Sequence, residues 1–597
     1  MSHKALDDYA PGGSFLARDT DFRSVFIPEG FSEEQRMIAK TTVEFVGREI
    51  AALGDKADEL NYGNILNIVR KAGEIGLLGA FLPEEYGGIG LNGITFTMMK
   101  EKLNAGATSI ITTIGGQIGI GMLPIVFFGT AEQRLKYLPK LASGELTTAF
   151  ALTEPSSGTD ASGIKTSARL SEDGKHYILN GNKVFITNAG FADIFVVFAK
   201  VNGTDFSAFI VERNSEGLTI GPEEKKMGLK ASSTCSMTFE NVKVPAENLL
   251  GEVGKGHLIA FNVLNFGRLS VGAGCLGNAK EALECAARYA NQRVQFGRKI
   301  ASFPLIMKKL AQINTKLYVL ESMVYRTAAL FDARLQTLDF GDPNLGERSN
   351  KVISEYLIEC SINKVFGSEA LDYAADEGLQ IHGGYGYMQE YKIESIYRDA
   401  RIKRIFEGTN EINRLFITRS IVRKLAKGQL PELERAIEAA SAALEQAAHT
   451  QKLTGTLEYE TYLVSMAKKI CVFALAQALQ VYKDKLDEEQ ETSADLADMA
   501  ILVYAMESAL LRTKKLISQN GEAASQNAID MTLLFVHEAF EQLAGLAKQV
   551  LSVTAAGDEW TGKLALLVKA SFRWPVSVPE LQRRIAARVS EAEKYVG

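Results

Sequence analysis

Cysteine is scarce in this sequence: Cys235, Cys275, Cys285, Cys360 and Cys471 are the five among 597 residues. They are widely spaced, odd in number and form no CxxC pair. A disulfide framework needs paired cysteines in an oxidising compartment, and a structural zinc site needs ligands at short spacing. The scarcity therefore argues against both and favours a reducing, cytoplasmic setting.

The sequence also lacks two further features: histidines spaced to bind a metal, and a hydrolase motif. None of the six histidines stands at metal-ligand spacing from another, so we expect no metal site. No G-x-S-x-G sequence occurs, which is the turn that presents a nucleophilic serine in α/β-hydrolases. The histidines are His3, His176, His257, His382, His449 and His537.

Long uncharged apolar runs and a strong net charge are absent as well. The richest apolar run, residues 110–128, is interrupted by glycines and a proline, so we expect no membrane-spanning helix. The opening MSHKALDDYAPGGSF has no apolar stretch of the kind that a secretory signal needs. A net charge of -6 gives no overall attraction to nucleic acid. We expect a soluble cytoplasmic protein, and peripheral contact with a membrane stays open.

The sequence does contain a clear succession of patterns, which predicts a mainly α fold with a central β domain. Its length exceeds what one hydrophobic core fills. An arm over residues 1–29 precedes a helical region over 30–145, where Ser32 and Gln35 form a candidate capping box. Residues 146–255 predict a compact β domain with mainly antiparallel connections. Helical patterns return over 256–427, and amphipathic helices over 428–597 form an extension.

The individual elements follow from the period of the apolar residues. Predicted strands lie in TTAFALTEP, KHYILNGNKVFIT, ADIFVVFAKV, SAFIVERN and CSMTFENVKVP. Predicted helices after the β domain cover residues 258–270, 279–292, 303–335, 350–377 and 410–427. In the extension, PELERAIEAASAALEQAA and DLADMAILVYAMESALLRTKKLI have helical periodicity.

Two stretches match G-x-G-x-x-G, the turn that binds dinucleotides in βαβ units. One begins at Gly88, in a loop between helical patterns, and the other at Gly272, within a helical run. Neither has the preceding strand that the dinucleotide fold requires. We therefore interpret the glycines after Gly272 as positions of close helix packing.

Five short stretches combine the ends of strands or helices with glycines and hydroxylated residues. They are FALTEPSSGTD from Phe150, KVFITNAG from Lys183, QRVQFG from Gln292, QIHGGYG from Gln380, and RDAR from Arg398 followed by IFEGTNEI from Ile405. In order and spacing they resemble the acyl-CoA dehydrogenase family, from about residue 31 to residue 424. PEEYGG from Pro83 also fits, and LADMAILVYAM in the extension resembles the very-long-chain branch.

The resemblance implies a helical domain, a β-barrel and a four-helix bundle with FAD between them, plus an extra C-terminal helical domain. It implies that FAD contacts two sets of residues. The first is Phe150, Leu152, Thr153, Gly158, Thr159, Phe185, Ile186 and Thr187, and the second is Gly408, Thr409 and Asn410 in the IFEGTNEI stretch. It implies that Arg293, Phe296, Gln380, Gly383 and Gly384 hold the adenylate part from a neighbouring subunit. The implied substrate contacts are Thr159, Gly408, Asn265 and Arg268, the last two with the CoA moiety, and Gly115 and Gly116 with the tail.

Three positions depart from the family pattern. Phe185 replaces the common tryptophan, Thr159 replaces a serine, and His382 stands where an apolar residue is usual. These departures leave the expectation of FAD intact, but the family's exact contacts carry over less directly at those three positions.

By the same resemblance, Glu407 is the catalytic base. Removing the proton α to a thioester requires a positioned carboxylate and stabilisation of the developing enolate. The backbone N–H of Glu407 and a ribityl hydroxyl of FAD would hold the thioester oxygen, and an apolar pocket should raise the pKa of the carboxyl. Some branches carry the base on the helix just before the arginine that matches Arg268. Here that neighbour is Gly267, which has no side chain.

The resemblance implies dehydrogenation of long-chain fatty acyl-CoA, with electrons passing to an electron-transferring flavoprotein, by a homodimer. Medium-chain relatives close the tail pocket with a glutamate and bulkier neighbours at the positions of Gly115 and Gly116, so two glycines predict an open floor. An acyl-CoA oxidase and a respiratory-complex assembly factor stay open as alternatives. The DNA-binding branch is disfavoured because the extension mixes acidic and basic residues.

Overall fold

The computed structural model describes residues 10–106, 108–446, 453 and 455–597. Residues 1–9 of the predicted arm, with His3, lie outside the described residues, as do His449 and the last two residues of the first predicted extension helix. Most of the opening segment examined for a secretory signal is therefore outside them too.

The N-terminal region is helical, as predicted. Its helices are α1 Glu33–Phe45, α2 Tyr62–Glu74, α3 Gly93–Leu103, α4 Thr108–Gly116, α5 Leu123–Phe128 and α6 Ala131–Ser143. The predicted capping box begins α1: the Ser32 hydroxyl accepts from the Gln35 N–H at 3.1 Å, and the Gln35 side chain accepts from the Ser32 N–H at 3.0 Å.

An eight-stranded sheet follows, and all five predicted strands are present. The strands are β1 Thr148–Ala151, β2 Ser167–Leu170, β3 His176–Thr187, β4 Ile194–Val201, β5 Asp205–Glu212, β6 Leu218–Glu223, β7 Thr234–Pro245 and β8 Leu249–Leu250. The order is β6-β7-β3-β2-β4-β5-β8, with β1 beside β4. The pairings of β1 and β2 with β4 are parallel and the others antiparallel.

The expectation of a closed β-barrel is not confirmed. Among the described residues the strand path is open, with β6 paired only to β7 and β8 paired only to β5. A barrel needs continuous hydrogen bonding between its first and last strands. Here β8 has two residues and the pairing of β6 with β7 contains a register shift, so neither edge offers a regular partner.

In the second helical region, one continuous helix replaces two that the sequence predicts. The region comprises α7 Gly256–Gln292, the hairpin β9 Val294–Gln295 and β10 Arg298–Lys299, α8 Pro304–Leu335, α9 Leu345–Glu355, α10 Leu357–His382, α11 Lys392–Ala400 and α12 Asn410–Ala426. The two predicted helices over 258–292 are a single helix. Its glycines allow close packing: a Cβ on Gly277 would lie 2.2 Å from the Glu101 carbonyl, and one on Gly272 would lie 3.0 Å from that of Asn363.

Within the described residues the extension comprises seven helices, several of which pack on the second helical region. They are α13 Pro431–Glu438, α14 Ala440–Gln446, α15 Glu458–Tyr482, α16 Gln490–Asn520, α17 Gln526–Thr554, α18 Gly557–Ala570 and α19 Val578–Ala592. Buried Arg512 of α16 pairs with Glu321 of α8 at 2.8 Å and with Glu29 at 2.6 Å. Phe535 of α17 packs on Phe366 of α10. The extension therefore covers surface of both α8 and α10.

The sequence predicts no helix that could span a membrane, and by the criteria of length and composition this expectation is wrong. Three helical segments are long and apolar enough: Thr108–Phe128, Gly256–Gln292 and Glu458–Lys485. In each, 67–72% of the most apolar window is buried inside the protein. Their apolar side chains are used largely in packing against the rest of the chain, which composition alone does not reveal.

Candidate active site

Glu407 occupies the loop between the turn Arg401–Arg404 and α12, in a left-handed backbone conformation with φ 57°. This conformation is uncommon for a residue with a side chain, and such strain concentrates at functional sites. The carboxylate oxygen Oε2 is buried and has no hydrogen-bond partner among the described residues. The backbone N–H of Glu407 also donates no hydrogen bond within them. Both an acceptor and a donor are therefore available to a ligand.

The carboxylate lies over α7 at the position where Gly267 lacks a side chain. A Cβ on Gly267 would come 2.9 Å from Oε2 and 3.5 Å from Oε1 of Glu407. A side chain at 267 would therefore enter the space that the carboxylate occupies. The two positions that could carry a base converge on one place, and this chain fills it from Glu407.

Burial raises the pKa of Glu407 to about 7, against the opposing charges of Arg268, Lys364 and Lys100. Desolvation penalises the ionised carboxylate, and nearby cations favour it. A base with a pKa near neutrality is ionised often enough to act and still binds a proton well. This environment suits proton abstraction.

Arg268 is a buried cation that directly follows Gly267 in the sequence. Its Nη1 donates to the Asn265 side chain at 2.9 Å, and its guanidinium lies 4.6 Å from the centre of the Phe416 ring. Its Nε is buried without a partner among the described residues. Asn265 and Arg268 are both buried, beneath the base, so their predicted contact with CoA stays a prediction.

The loop after the base is held from below by side chains of α10 and α12. Lys364 donates to the Gly408 carbonyl and to the Asn410 side chain, both at 2.7 Å. Asn413 donates to the Gly408 carbonyl at 2.8 Å. The Thr409 hydroxyl accepts from the Ile412 N–H and caps α12. The side chain of Asn410 thus braces the loop from inside the protein, although sequence analysis assigned it to FAD.

The loop after β1 places its glycine and hydroxyl at the surface. Gly158 and Thr159 are exposed, and a Cβ on Gly158 would meet nothing within 4 Å. The base of the loop is fixed by a buried ion pair of 2.7 Å between Lys183 and Glu154. Lys183 also donates to the Leu152 carbonyl at 3.0 Å. Backbone and hydroxyl groups are thereby available to a ligand above a rigid anchor.

Phe150 and Thr153 flank this anchor. The Phe150 ring is half-buried and packs on Phe198 at 5.0 Å between centroids. The Thr153 carbonyl accepts from the Val184 N–H at 3.0 Å, which joins the loop to β3.

Phe185 projects from an irregularity in β3. The register of β3 against β7 shifts between Lys183 and Ile186, and Phe185 there has φ 58° with 65% of its surface exposed. Ile186 turns into the core, and Thr187 is partly exposed. An aromatic ring held outward by a bulge is a ready surface for a flat ligand.

Gly115 and Gly116 end α4 beside the end of β3. A Cβ on Gly116 would lie 3.4 Å from the Asn188 amide nitrogen and 3.9 Å from the Thr187 methyl. A Cβ on Gly115 would meet only the ammonium of Lys100, at 3.8 Å. The predicted open floor is therefore open at Gly115, but a lysine head group borders it.

The remaining predicted residues form a second, separate cluster. Arg293, Gly383 and Gly384 line one exposed hollow, and Gln380 lies exposed near it. Phe296 stands at φ 51° with 94% of its surface exposed. No hydrogen bond within the described residues joins this cluster to Glu407, and its role towards a neighbouring subunit stays a prediction.

His382 behaves as an apolar residue would at its position. It is buried, its ring stacks on Tyr289 at 4.3 Å, and one ring nitrogen lies 2.7 Å from the Gly378 carbonyl. Burial lowers the pKa of His382, which favours the neutral ring. The departure from the family pattern is thus accommodated in the core.

Comparison with known proteins agrees with this geometry. The chain matches the N-terminal domain of acyl-CoA dehydrogenase over residues 32–145, the middle domain over 149–242, and C-terminal domains over 254–422 and 466–569. It is 48% identical to a probable acyl-CoA dehydrogenase of Bacillus subtilis (strain 168), over 100% of both chains. The chain belongs to the acyl-CoA dehydrogenase family. It is also 38% identical to the human mitochondrial very long-chain specific acyl-CoA dehydrogenase, over 86% of this chain and 80% of that one.

The acyl-CoA dehydrogenase of Bacillus anthracis, solved as a complex with FAD, is 48% identical. It superposes with a TM-score of 0.95 over 98% of this chain and 100% of that one. As in that relative, the cofactor of the present protein is FAD. The residues fit it: the outward ring of Phe185, the exposed loop at Gly158 and the unpartnered oxygens of Glu407 and Asn188 present the surfaces that a flat, polar group needs.

Sequence analysis missed several residues of the acyl-CoA dehydrogenase site. Lys364 and Lys100 both lie in predicted helical regions, where a lysine normally indicates the solvated face. Asn188, with φ 68°, donates to the carbonyls of Thr113 and Thr148 and joins the α4 region to the sheet. The signal in the sequence was that Asn188 and Lys183 stand within KVFITNAG, one of the five stretches that resemble the family.

Proposed function

We propose that the protein dehydrogenates long-chain fatty acyl-CoA at its α and β carbons to trans-2-enoyl-CoA, as a step of fatty acid β-oxidation. The observation that carries this proposal is the Glu407 carboxylate, buried, unpartnered and seated over Gly267. The long-chain preference is supported by the missing side chains at Gly115 and Gly116. The 38% identity to a very long-chain specific relative supports it further.

The residues divide the chemistry among them. Glu407 takes the proton from the α-carbon, and its raised pKa lets it hold that proton. Its free backbone N–H would donate a hydrogen bond to the thioester oxygen, on which negative charge develops. Arg268 and Lys364 favour the ionised carboxylate before the proton moves. Residues 150–159, Phe185 and Thr187 would hold FAD, which supplies the acceptor for the hydride that leaves the β-carbon.

We further propose an electron-transferring flavoprotein as electron acceptor, a cytoplasmic location and a homodimer in which the cluster around Arg293 serves the partner's cofactor. The division into 1–29, 30–145, 146–255, 256–427 and 428–597 is part of the same proposal. It is supported by the change from helix to sheet near residue 148 and back near residue 256.

One spectroscopic experiment tests the reaction. The purified protein should be yellow, and its flavin absorbance should bleach when palmitoyl-CoA is added without oxygen. Bleaching by octanoyl-CoA but not by palmitoyl-CoA would contradict the long-chain proposal. Rapid turnover with oxygen alone, at a rate that added electron-transferring flavoprotein does not increase, would favour the oxidase instead.

A further inference from the structure

Three buried lysines near the base, Lys100, Lys364 and Lys403, form no ion pair with a carboxylate among the described residues. Among the described residues, buried lysines elsewhere are paired: Lys183 with Glu154, Lys424 with Glu355 and Lys468 with Glu507. Burying an ammonium without a partner is costly, so such a group calls for an explanation.

Lys364 is held by two hydrogen bonds of 2.7 Å, to the Gly408 carbonyl and the Asn410 side chain, whereas Lys100 and Lys403 have no such pair of hydrogen bonds. Lys100, 5% exposed, makes one hydrogen bond, of 3.3 Å, to the Gly115 carbonyl. Lys403, 6% exposed, has its ammonium 5.5 Å from the centre of the Phe406 ring. Neither forms an ion pair within the described part of the chain.

The head group of Lys100 reaches an accessible stripe on the α4 segment. Most residues from 108 to 127 are buried, but a stripe is partly exposed at helical spacing: Thr112, Gly115, Gly116, Gly119 and Ile120. The Lys100 ammonium lies 3.8 Å from the Cβ position of Gly115 and 3.9 Å from that of Gly119. It therefore borders the space that these two glycines leave open.

This stripe adjoins the catalytic machinery. Gly116, within it, faces Thr187 and Asn188 at the end of β3. The charge of Lys100 also acts on Glu407, so the lysine faces the same interior as the base.

We propose that Lys100 is a specificity-determining residue, whose ammonium, bordering the stripe of α4, limits how favourably a plain alkyl tail is accepted there. This inference rests on the proposed function, since it takes the stripe as the path of the acyl tail. Methylene groups laid beside an ammonium deprive it of water without offering it a partner. A thioether of similar length at the same position would impose no such penalty.

The protonation of Lys100 should tune this effect. Burial lowers the pKa of Lys100 to about 7; the like charge of Lys403 adds to this and Glu407 opposes it. From α4, the group facing Lys100 is the Gly115 carbonyl. Lys280 of α7 is engaged with Glu101 and with Glu321 of α8. Below neutrality Lys100 gains charge, and the tail should be accepted less favourably.

The test compares Lys100→Met with Lys102→Met, the same change two residues along α3. The Lys102 side chain is 29% exposed and pairs with Glu101. The quantity measured is the ratio of kcat/KM for palmitoyl-CoA to that for butyryl-CoA. Because both substrates use the same base, protonation of Glu407 cancels in the ratio.

We expect Lys100→Met to raise this ratio roughly tenfold, the scale of relieving a desolvated polar group, and Lys102→Met to leave it unchanged. In the native protein the ratio should fall from pH 8 to pH 6, and in Lys100→Met it should be flat. A ratio unaltered by Lys100→Met, with both rates changed equally, would show that Lys100 acts on the base or on stability and would overturn the proposal. If palmitoyl-CoA does not reduce the native flavin at all, the proposed function fails instead.

Discussion

The carboxylate of Glu407 and the α-carbon of Gly267 share one small space, since a Cβ on Gly267 would lie 2.9 Å from Oε2. The contact falls at the free end of a side chain rather than on backbone. A small side chain at 267 should therefore move the carboxylate without disturbing α7. The absence of a side chain at Gly267 is thus required for Glu407 to act as the base.

Gly267→Ala should lower kcat by about 10²-fold, because misplacing a reacting group by about 1 Å has an effect of that order. Thermal stability should change little. Gly562→Ala is the matched control: it also lies in a helix, with open space around its Cβ position, and should keep full activity. Native kcat in Gly267→Ala would show that the carboxylate has another place to go.

Glu407→Gln should retain FAD and bind acyl-CoA but lose reduction of the flavin. The amide keeps the size of the side chain and removes its basicity, and losing a general base typically costs at least about 10²–10⁴-fold in rate. Anaerobic bleaching by palmitoyl-CoA measures it. Glu411→Gln, four residues later at the start of α12, should bleach normally. Comparable bleaching in both variants would refute the assignment of the base.

The raised pKa of Glu407 predicts how activity and stability depend on pH. The base acts only when ionised, so kcat/KM should rise as pH increases through about 7. For stability, a carboxyl group whose folded pKa is raised binds its proton more tightly when folded. Its contribution is present below the unfolded pKa and lost as pH rises through the folded one.

Relative to the native protein, Glu407→Gln should therefore gain stability as pH rises from the ordinary carboxyl range to about 7, with no further gain above that, and the difference should be smallest in acid. Urea unfolding of both proteins at pH 5 and pH 8 checks this. A stability difference that does not vary with pH would mean that the carboxyl is not desolvated as the structure shows it.

Much of this site could be predicted from sequence, because five separated stretches keep a shared order and each contains unusual glycine or hydroxyl positions. The placement of side chains was less accessible. Asn410 stands in the same stretch as Glu407, yet its side chain turns inward to Lys364, a contact between residues 46 positions apart in sequence. Lys100 reads as a surface residue until α4 is seen to cover it. Residues 271–278 lie between two predicted helices, although the glycines there are interpreted as packing positions, and close packing of Gly272 on α10 accompanies a continuous α7.

The extension should restrict assembly to a dimer. In much of the family the last bundle packs against neighbouring subunits to form tetramers, and here α16 and α17 cover α8 and α10. Arg414 of α12 is also bound to Asp498 of α16 at 2.7 Å. Light scattering of the full-length protein should give the mass of two chains. A tetrameric mass would contradict the prediction.

The chain-length preference should depend on the missing side chain at Gly116. The native protein should prefer acyl chains of C14 or longer, since each methylene buried contributes about 0.8 kcal/mol. Gly116→Glu should shift the preference towards medium chains by placing a carboxylate in the path of the tail, beside Asn188 and Thr187. Gly545→Ala is the control, because Gly545 lies in α17 with nothing within 4 Å of its Cβ position, and it should leave the profile unchanged. Values of kcat/KM over C8 to C18 thioesters for the three proteins measure this. A native preference for C8, or an identical profile in Gly116→Glu, would show that the tail does not pass this end of α4.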